Sequence, residues 1–184
     1  MNKSKTHFQK YKELLKPPKI GDIVKGKVIQ KTRKDIFLDL ENFKIGRIKK
    51  EELGSSGKDP AKLENGDEIM VKIVGPEDEK GIIEVSVKEA EEELNWRELE
   101  ELKKRQEKIS LKVVGVNRGG LIFNFRGIQG FLPASQLSKE HYPKIEDPTP
   151  DKVLEKLKKF LGKEMKVKII NVDSKAHKLV FSEK

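Results

Sequence analysis

The sequence predicts an all-β protein with short helices, organised as two tandem five-stranded barrels joined by a helical linker. Three observations predict it. First, the chain repeats itself. Gly21-Asp22-Ile23-Val24-Lys25-Gly26-Lys27-Val28 opens one unit and Leu111-Lys112-Val113-Val114-Gly115-Val116 opens another, and the closing segments Gly66 to Val74 and Gly81 to Ser86 have counterparts in Gly162 to Ile170 and Lys178 to Ser182. Second, the offset between copies is 84 at Ile45/Gln129 and 96 at Gly66/Gly162, so the second copy carries 12 extra residues between its third and fourth strands. Third, apolar residues alternate with polar ones in short runs, the period of a strand with one buried face.

The N-terminal arm, residues 1–19, places Phe8, Tyr11 and Leu15 on one stripe of a short helix that Pro17 and Pro18 stop. About three turns are too few to be stable alone in water, so the stripe needs a partner, either the first barrel or another molecule. The first unit spans 20–87. Its second strand alternates Ile36, Leu38 and Leu40 with Phe37 and Asp39, Asn42 offers a turn, and Asp59-Pro60 is placed to start a helical turn within the loop Gly54 to Gly66.

Residues 88–108 read as a linker helix. Acidic Glu89, Glu91, Glu92 and Glu93 lie at its start and basic Lys103, Lys104, Arg105 and Lys108 at its end, the arrangement the helix dipole favours. Ala90, Leu94, Trp96, Leu99 and Leu102 are available for packing. The second unit spans 109–184. Leu121, Phe123 and Phe125 alternate with Ile122 and Asn124, Arg126-Gly127 makes a turn, and Ile128 to Leu132 returns. Its inserted segment reads as a helix capped by Thr149, opened by Pro150 and stopped by Gly162. Val153, Leu154, Leu157 and Leu161 form its apolar face, and Lys152, Lys156, Lys159 and Lys163 line another.

Three strands, a helical element and two more strands is the order of the OB-fold barrel. Charge is distributed unevenly over it. The net +9 divides into +5 for residues 1–19, −1 for 20–87, −2 for 88–108 and +7 for 109–184. Concentrated basic charge points to a polyanionic partner, nucleic acid ahead of membrane. The chain has no cysteine, residues 1–19 hold no apolar run of the secretory kind, and no window reaches the length of a membrane span; a reducing cytoplasm is the expected compartment.

The marks Gly-Asp-x-Val-x-Gly-x-Val at 21–28, Ile-Phe-Leu-Asp-Leu at 36–40, Gly-x-Ile-x-x-x-Glu-Leu at 46–53 and Gly-Asp-x-x-x-Val-Lys-Ile at 66–73, closed by Val85-Ser86, resemble the S-one RNA-binding repeat. Arg118-Gly119-Gly120-Leu121 with Gly127 to Leu137 is similar to the second repeat in the bacterial small-subunit ribosomal S-one family. In family repeats that bind RNA, two aromatics on the second strand, a histidine on the third and an Asp/Arg pair near the last form the contact face. Carried over by position, the first repeat has Lys34 and Phe37 at the aromatic places, Lys49 for the histidine, and Glu77 and Ile82 for the pair. The second has Gly119 and Ile122, then Pro133, then Asp173 and Lys178. One ring in four is kept, so the resemblance implies a grip on phosphates more than on bases.

The RNA-contact candidates are therefore Lys34, Phe37, Lys49, Arg118, Arg126, Phe131, Asp173 and Lys178, with Lys152, Lys156 and Lys159 on the inserted helix. The resemblance further implies single-stranded RNA (mRNA or rRNA) and the small ribosomal subunit as partners, with ribosomal protein S-two as the neighbour and Phe8, Tyr11 and Leu15 as the docking anchor. It implies no membrane association and a monomer off the ribosome. A free-standing RNA-binding accessory in RNA decay or regulation, and a regulatory appendage of an enzyme, are the rival readings. No catalytic or metal constellation is legible: His7, His141 and His177 lack a second ligand at metal spacing and read as surface residues, and no cofactor is expected. Gly119-Gly120 lacks the lysine and hydroxyl residue of a phosphate loop and reads as a tight turn.

Overall fold

Alternation along each strand decides which side chains turn inward, and in both units the inward set is apolar. The computed structural model describes residues 18–40, 44–55, 62–142 and 150–184. Phe8, Tyr11 and Leu15, and likewise Asn42, Asp59-Pro60 and Thr149, lie outside them. The chain divides into two units, Met1–Glu91 and Glu92–Lys184.

The first unit is built from β1 (Ile23–Lys31), β2 (Asp35–Leu40), β3 (Lys44–Lys49), α1 (Lys50–Ser55), β4 (Glu68–Glu77) and β5 (Ile82–Ser86). Its strands close in the order β1-β2-β3-β5-β4, antiparallel except for the parallel β3–β5 pair. Val28, Ile36, Leu38, Leu40, Ile48, Val71, Ile73 and Val85 fill the interior. A helix, α1, begins directly after β3. It anchors itself with fully buried Leu53 and with Glu52, whose Oε1 accepts a 2.6 Å hydrogen bond from Ser86 Oγ.

Helix α2 (Val87–Arg105) follows β5 without a break. Ser86 caps it, its Oγ accepting from the Glu89 N–H at 3.0 Å, which satisfies one of the orphan donors of the first turn. The helix stops three residues short of the expected Lys108. Gln106 turns to a φ of 52°, and Lys108 instead opens the next strand.

The second unit repeats the barrel with β6 (Lys108–Asn117), β7 (Gly120–Phe125), β8 (Ile128–Pro133), α3 (Pro150–Lys158), β9 (Glu164–Asp173) and β10 (Lys178–Ser182), and a 3-10 turn at Ala134–Gln136. Closure is β6-β7-β8-β10-β9, with β8 and β10 parallel. Phe123 and Phe181 meet edge to face in the core at 5.6 Å, and Trp96 and Leu99 of α2 join the same cluster. Arg126 and Gly127, at φ 47° and 95°, make the β7–β8 turn, and Asn124 Oδ1 accepts from the Gly127 N–H. Ser182 Oγ donates to Gln136 Oε1 at 2.9 Å, the bond Ser86 makes to Glu52 in the first barrel.

The apolar face of α3 differs from expectation at one place. Leu157 is buried, but Leu161 is 55% exposed and Phe160 takes the inward position. The helix ends at Lys158, and the turn through Gly162 (φ 80°) changes the phase. The Gly162 stop therefore lies four residues past the helix, where its N–H donates to the Val113 carbonyl.

Candidate nucleic-acid interface

Outward residues of β2, β3 and β5 line up because the register puts them opposite one another. Phe37 faces Arg47 across β2–β3, and Arg47 faces Glu84 across the parallel β3–β5 pair. All three are half-buried. Next to this row, Lys49 lies opposite Asp35 and its ammonium meets Glu84 Oε1 at 2.6 Å. That bond holds the Glu84 carboxyl below the ordinary range and Lys49 above its own. Asp78, at the β4–β5 turn, is held low chiefly by the Ile82 N–H, with the Lys80 N–H also bonded to the same oxygen. Arg47 Nε is buried without a hydrogen-bond partner among the described residues, so a polar donor is left unspent within the row.

The second barrel carries the same row with different chemistry. Ile122 faces Phe131 across β7–β8, and Phe131 faces Val180 across β8–β10. Phe131 is half-buried and points outward, whereas Phe123 and Phe125 lie in the core. The Gly119 Cα side of the β6–β7 turn comes close to the Phe131 ring, and Asn117 Oδ1 fixes that turn by accepting from the Gly119 and Gly120 N–H groups.

The candidate cations fall into two groups. Lys49 is paired with Glu84, Arg118 with Asp151 at 2.9 Å, and Arg126 with Glu98 at 2.5 Å while stacking on Phe125. These pairs are solvent-exposed, and such pairs contribute little and exchange readily. Lys159 lies over the Phe160 ring at 5.0 Å. Lys34, Lys152, Lys156 and Lys178 are exposed and in no ion pair among the described residues. Asp173 lies opposite Lys178 and accepts from the Ala176 N–H, so it braces the β9–β10 turn. Glu77 is engaged by Lys44 at 2.6 Å.

Arg47 and Glu84 were missed from sequence. Alternation through Ile45, Arg47 and Lys49 does mark Arg47 as outward, but its pairing with Glu84 depends on strands that are not consecutive. Among the described residues no group of acidic, histidine or cysteine side chains forms a metal-binding cluster, and no helix is long and apolar enough to cross a membrane. His141 is only half-exposed, with Nδ1 2.5 Å from Glu183; His177 is the exposed one, near Glu92 and edge-on to Trp96.

Paired five-stranded barrels closed in this order, each with one ring in its outer row, are of the OB-fold class used for nucleic-acid binding. The S1 RNA binding domain family matches residues 17–88 and again 104–184, and the chain belongs to that family. It is 32% identical over 166 residues to the small ribosomal subunit protein bS1 of Mycolicibacterium smegmatis, covering 89% of this chain and 32% of that protein. It is 28% identical to the bS1 homolog of Bacillus subtilis, over 91% of this chain and 41% of the relative. It is also 31% identical over 157 residues to the 4-hydroxy-3-methylbut-2-enyl diphosphate reductase of Clostridium acetobutylicum, covering 85% of this chain and 23% of the reductase. The chain thus spans about a quarter to two fifths of the length of these relatives.

Proposed function

We propose that this chain is an RNA-binding protein of translation that docks on the small ribosomal subunit and holds mRNA or rRNA mainly through phosphate charge. The observation that carries the reading is the family match over both barrels, with a bS1 relative aligned along 89% of the chain. The contact rows support the emphasis on phosphate. Each retains a single ring, and base stacking on rings is the main sequence-tolerant source of single-strand affinity. Exposed Lys34, Lys152, Lys156 and Lys178, with the loosely paired Arg118 and Arg126, supply backbone contacts that weaken with salt. Asp173 serves by bracing its turn. The docking anchor in this reading is Phe8, Tyr11 and Leu15, the neighbour is ribosomal protein S-two, the compartment is the cytoplasm, and the chain is a monomer away from the ribosome.

Co-sedimentation with purified small subunits at low salt tests the reading, with subunits that hold or lack protein S-two. Association with the complete subunits is expected. Absence of association with both would overturn it. A second reading, an RNA-binding appendage of an enzyme, is favoured by the similarity to the clostridial reductase; a reading frame that continues into reductase sequence would establish it.

A further inference from the structure

The β6–β9 ribbon of the second barrel carries an excess of positive charge that nothing in the contact row uses. Outward residues of β6 are Lys108, Ser110 and Lys112, and those of β9 are Glu164, Lys166 and Lys168; inward Val113, Met165, Val167 and Ile169 are buried. The register sets Lys108 directly opposite Lys168, Ser110 opposite Lys166 and Lys112 opposite Glu164. Four lysines therefore share one face with a single carboxylate. None of the four is in an ion pair among the described residues. A like-charge pair placed directly across two strands is unfavourable to the fold. The arrangement is one that a polyanion would relieve.

The first barrel provides an internal comparison. The same places on its β1–β4 ribbon hold Ile23 opposite Lys72, Lys25 opposite Met70 and Lys27 opposite Glu68. There Lys25 is paired with Glu68 at 2.8 Å and Lys72 with Glu89 at 3.4 Å. Ile23 becomes Lys108 and Met70 becomes Lys166 in the second copy. With Lys25 replaced by Ser110 the net gain is one lysine; Glu68 persists as Glu164, but none of the second ribbon's lysines is ion-paired among the described residues.

We propose that the β6–β9 ribbon is a second RNA-backbone site, in which Lys108, Lys112, Lys166 and Lys168 take successive phosphates of a single strand. This rests on the reading of the chain as an RNA-binding protein. Successive outward positions on a strand are about 6.8 Å apart, a spacing of the order of that between neighbouring phosphates. Lys108 to Lys112 makes a strip about 14 Å long. Ammonium groups on flexible stems act as point charges, so the strip binds without reading bases. It lies on β6 and β9, whereas the ring-bearing row is centred on β7, β8 and β10, and one strand could engage both.

The test is fluorescence anisotropy of the full chain with labelled oligouridine and with a mixed-sequence single strand, across a salt series. For K108Q/K112Q/K166Q the slope of log affinity against log salt is expected to fall by about 2, roughly 0.7 per lost phosphate contact on single strands, equally on both RNAs. K25Q/K27Q on the first barrel should change it less. Thermal melting controls for folding; K108Q alone should not lower the midpoint, because it removes a like-charge pair. An unchanged slope in the triple variant, with binding retained, would overturn the ribbon site and leave the RNA reading standing. No salt-dependent RNA binding by the unaltered chain would overturn the RNA reading itself. If the triple variant lost binding to anionic phospholipid vesicles while its RNA slope stayed intact, the ribbon would be a membrane surface, and the proposal would fall.

Discussion

Phe131 lies directly opposite Ile122 across β7–β8, the register position that Arg47 and Phe37 share across β2–β3. Each barrel thus keeps one ring in its outer row, on the second strand in the first copy and on the third in the second. Both rings are half-buried, so each offers one part of its surface to a base. Phe37→Ala and Phe131→Ala are each expected to weaken binding of single-stranded RNA by about 1 kcal/mol, the lower end for base–aromatic stacking. Anisotropy at fixed salt reads the loss, and the salt slope should not change. Unaltered affinity in both variants would refute a stacking role.

The Ser86–Glu52 and Ser182–Gln136 bonds tie the end of each barrel to the segment after its third strand. Ser182→Ala should destabilise the second barrel by about 1 kcal/mol, the usual net worth of a hydrogen bond with the added effect of a stranded partner. Ser86→Ala should cost more, because its second bond caps the 19-residue helix α2, a cap worth about 0.5–2 kcal/mol, whereas the second bond of Ser182 Oγ, from the Lys184 N–H at 3.2 Å, caps no helix. Urea unfolding ranks the two, and equal losses would contradict the dual role.

Gly130 faces the core, where a Cβ would come within 2.2 Å of the Phe181 ring and 3.0 Å of Leu179. Gly46, its counterpart, would meet only the flexible end of Leu40 at 3.1 Å. Gly130→Ala is expected to cost about 1–3 kcal/mol through overpacking, a fall of several degrees in the midpoint for a unit of this size. Gly46→Ala should cost clearly less. A thermal melt with the order reversed would show that the core repacks around the methyl group.

Acid and base should each loosen the first barrel slightly, by separate routes. Glu84 and Asp78 have carboxyls depressed in the folded state, by Lys49 and by the Ile82 N–H respectively. Their contribution is complete above the ordinary values of 4.5 and 3.8 and fades as pH falls through the lower folded values. Lys49 is raised above 10.5, so its share is complete below that pH and is lost as pH rises through the higher folded value. Urea midpoints measured across pH should therefore decline at both ends. Glu84→Gln should flatten the acid limb and the alkaline limb together, since it removes the partner of Lys49. A variant with both limbs unchanged would show that the pair is inert.

Much of the fold was legible because it follows from local alternation. Ile36, Leu38 and Leu40 are inward as their period-two spacing requires, and the repeated motifs announce two barrels of equal topology. Local signals misled where distant contacts decide. Lys49-Lys50 carries no local helix-start signal, yet α1 forms there, where Leu53 reaches the core and Glu52 meets Ser86. Leu161 has helical spacing from Leu157, but the helix has already ended and Phe160 is the residue that turns inward. The contact row was half-visible. Phe37 stood out as an outward ring on a strand, while Glu84 joins it and Arg47 only through the parallel pairing of the third and fifth strands.

Trp96 is the chain's single tryptophan, buried in the core of the second unit, and its Nε1 finds no hydrogen-bond acceptor among the described residues. Its emission should therefore begin blue-shifted and move to the red only when the C-terminal barrel opens. The molecule carries its own optical probe for one half, so melting of the other half can be separated from it by comparing the indole transition with that in far-ultraviolet dichroism, which reports both.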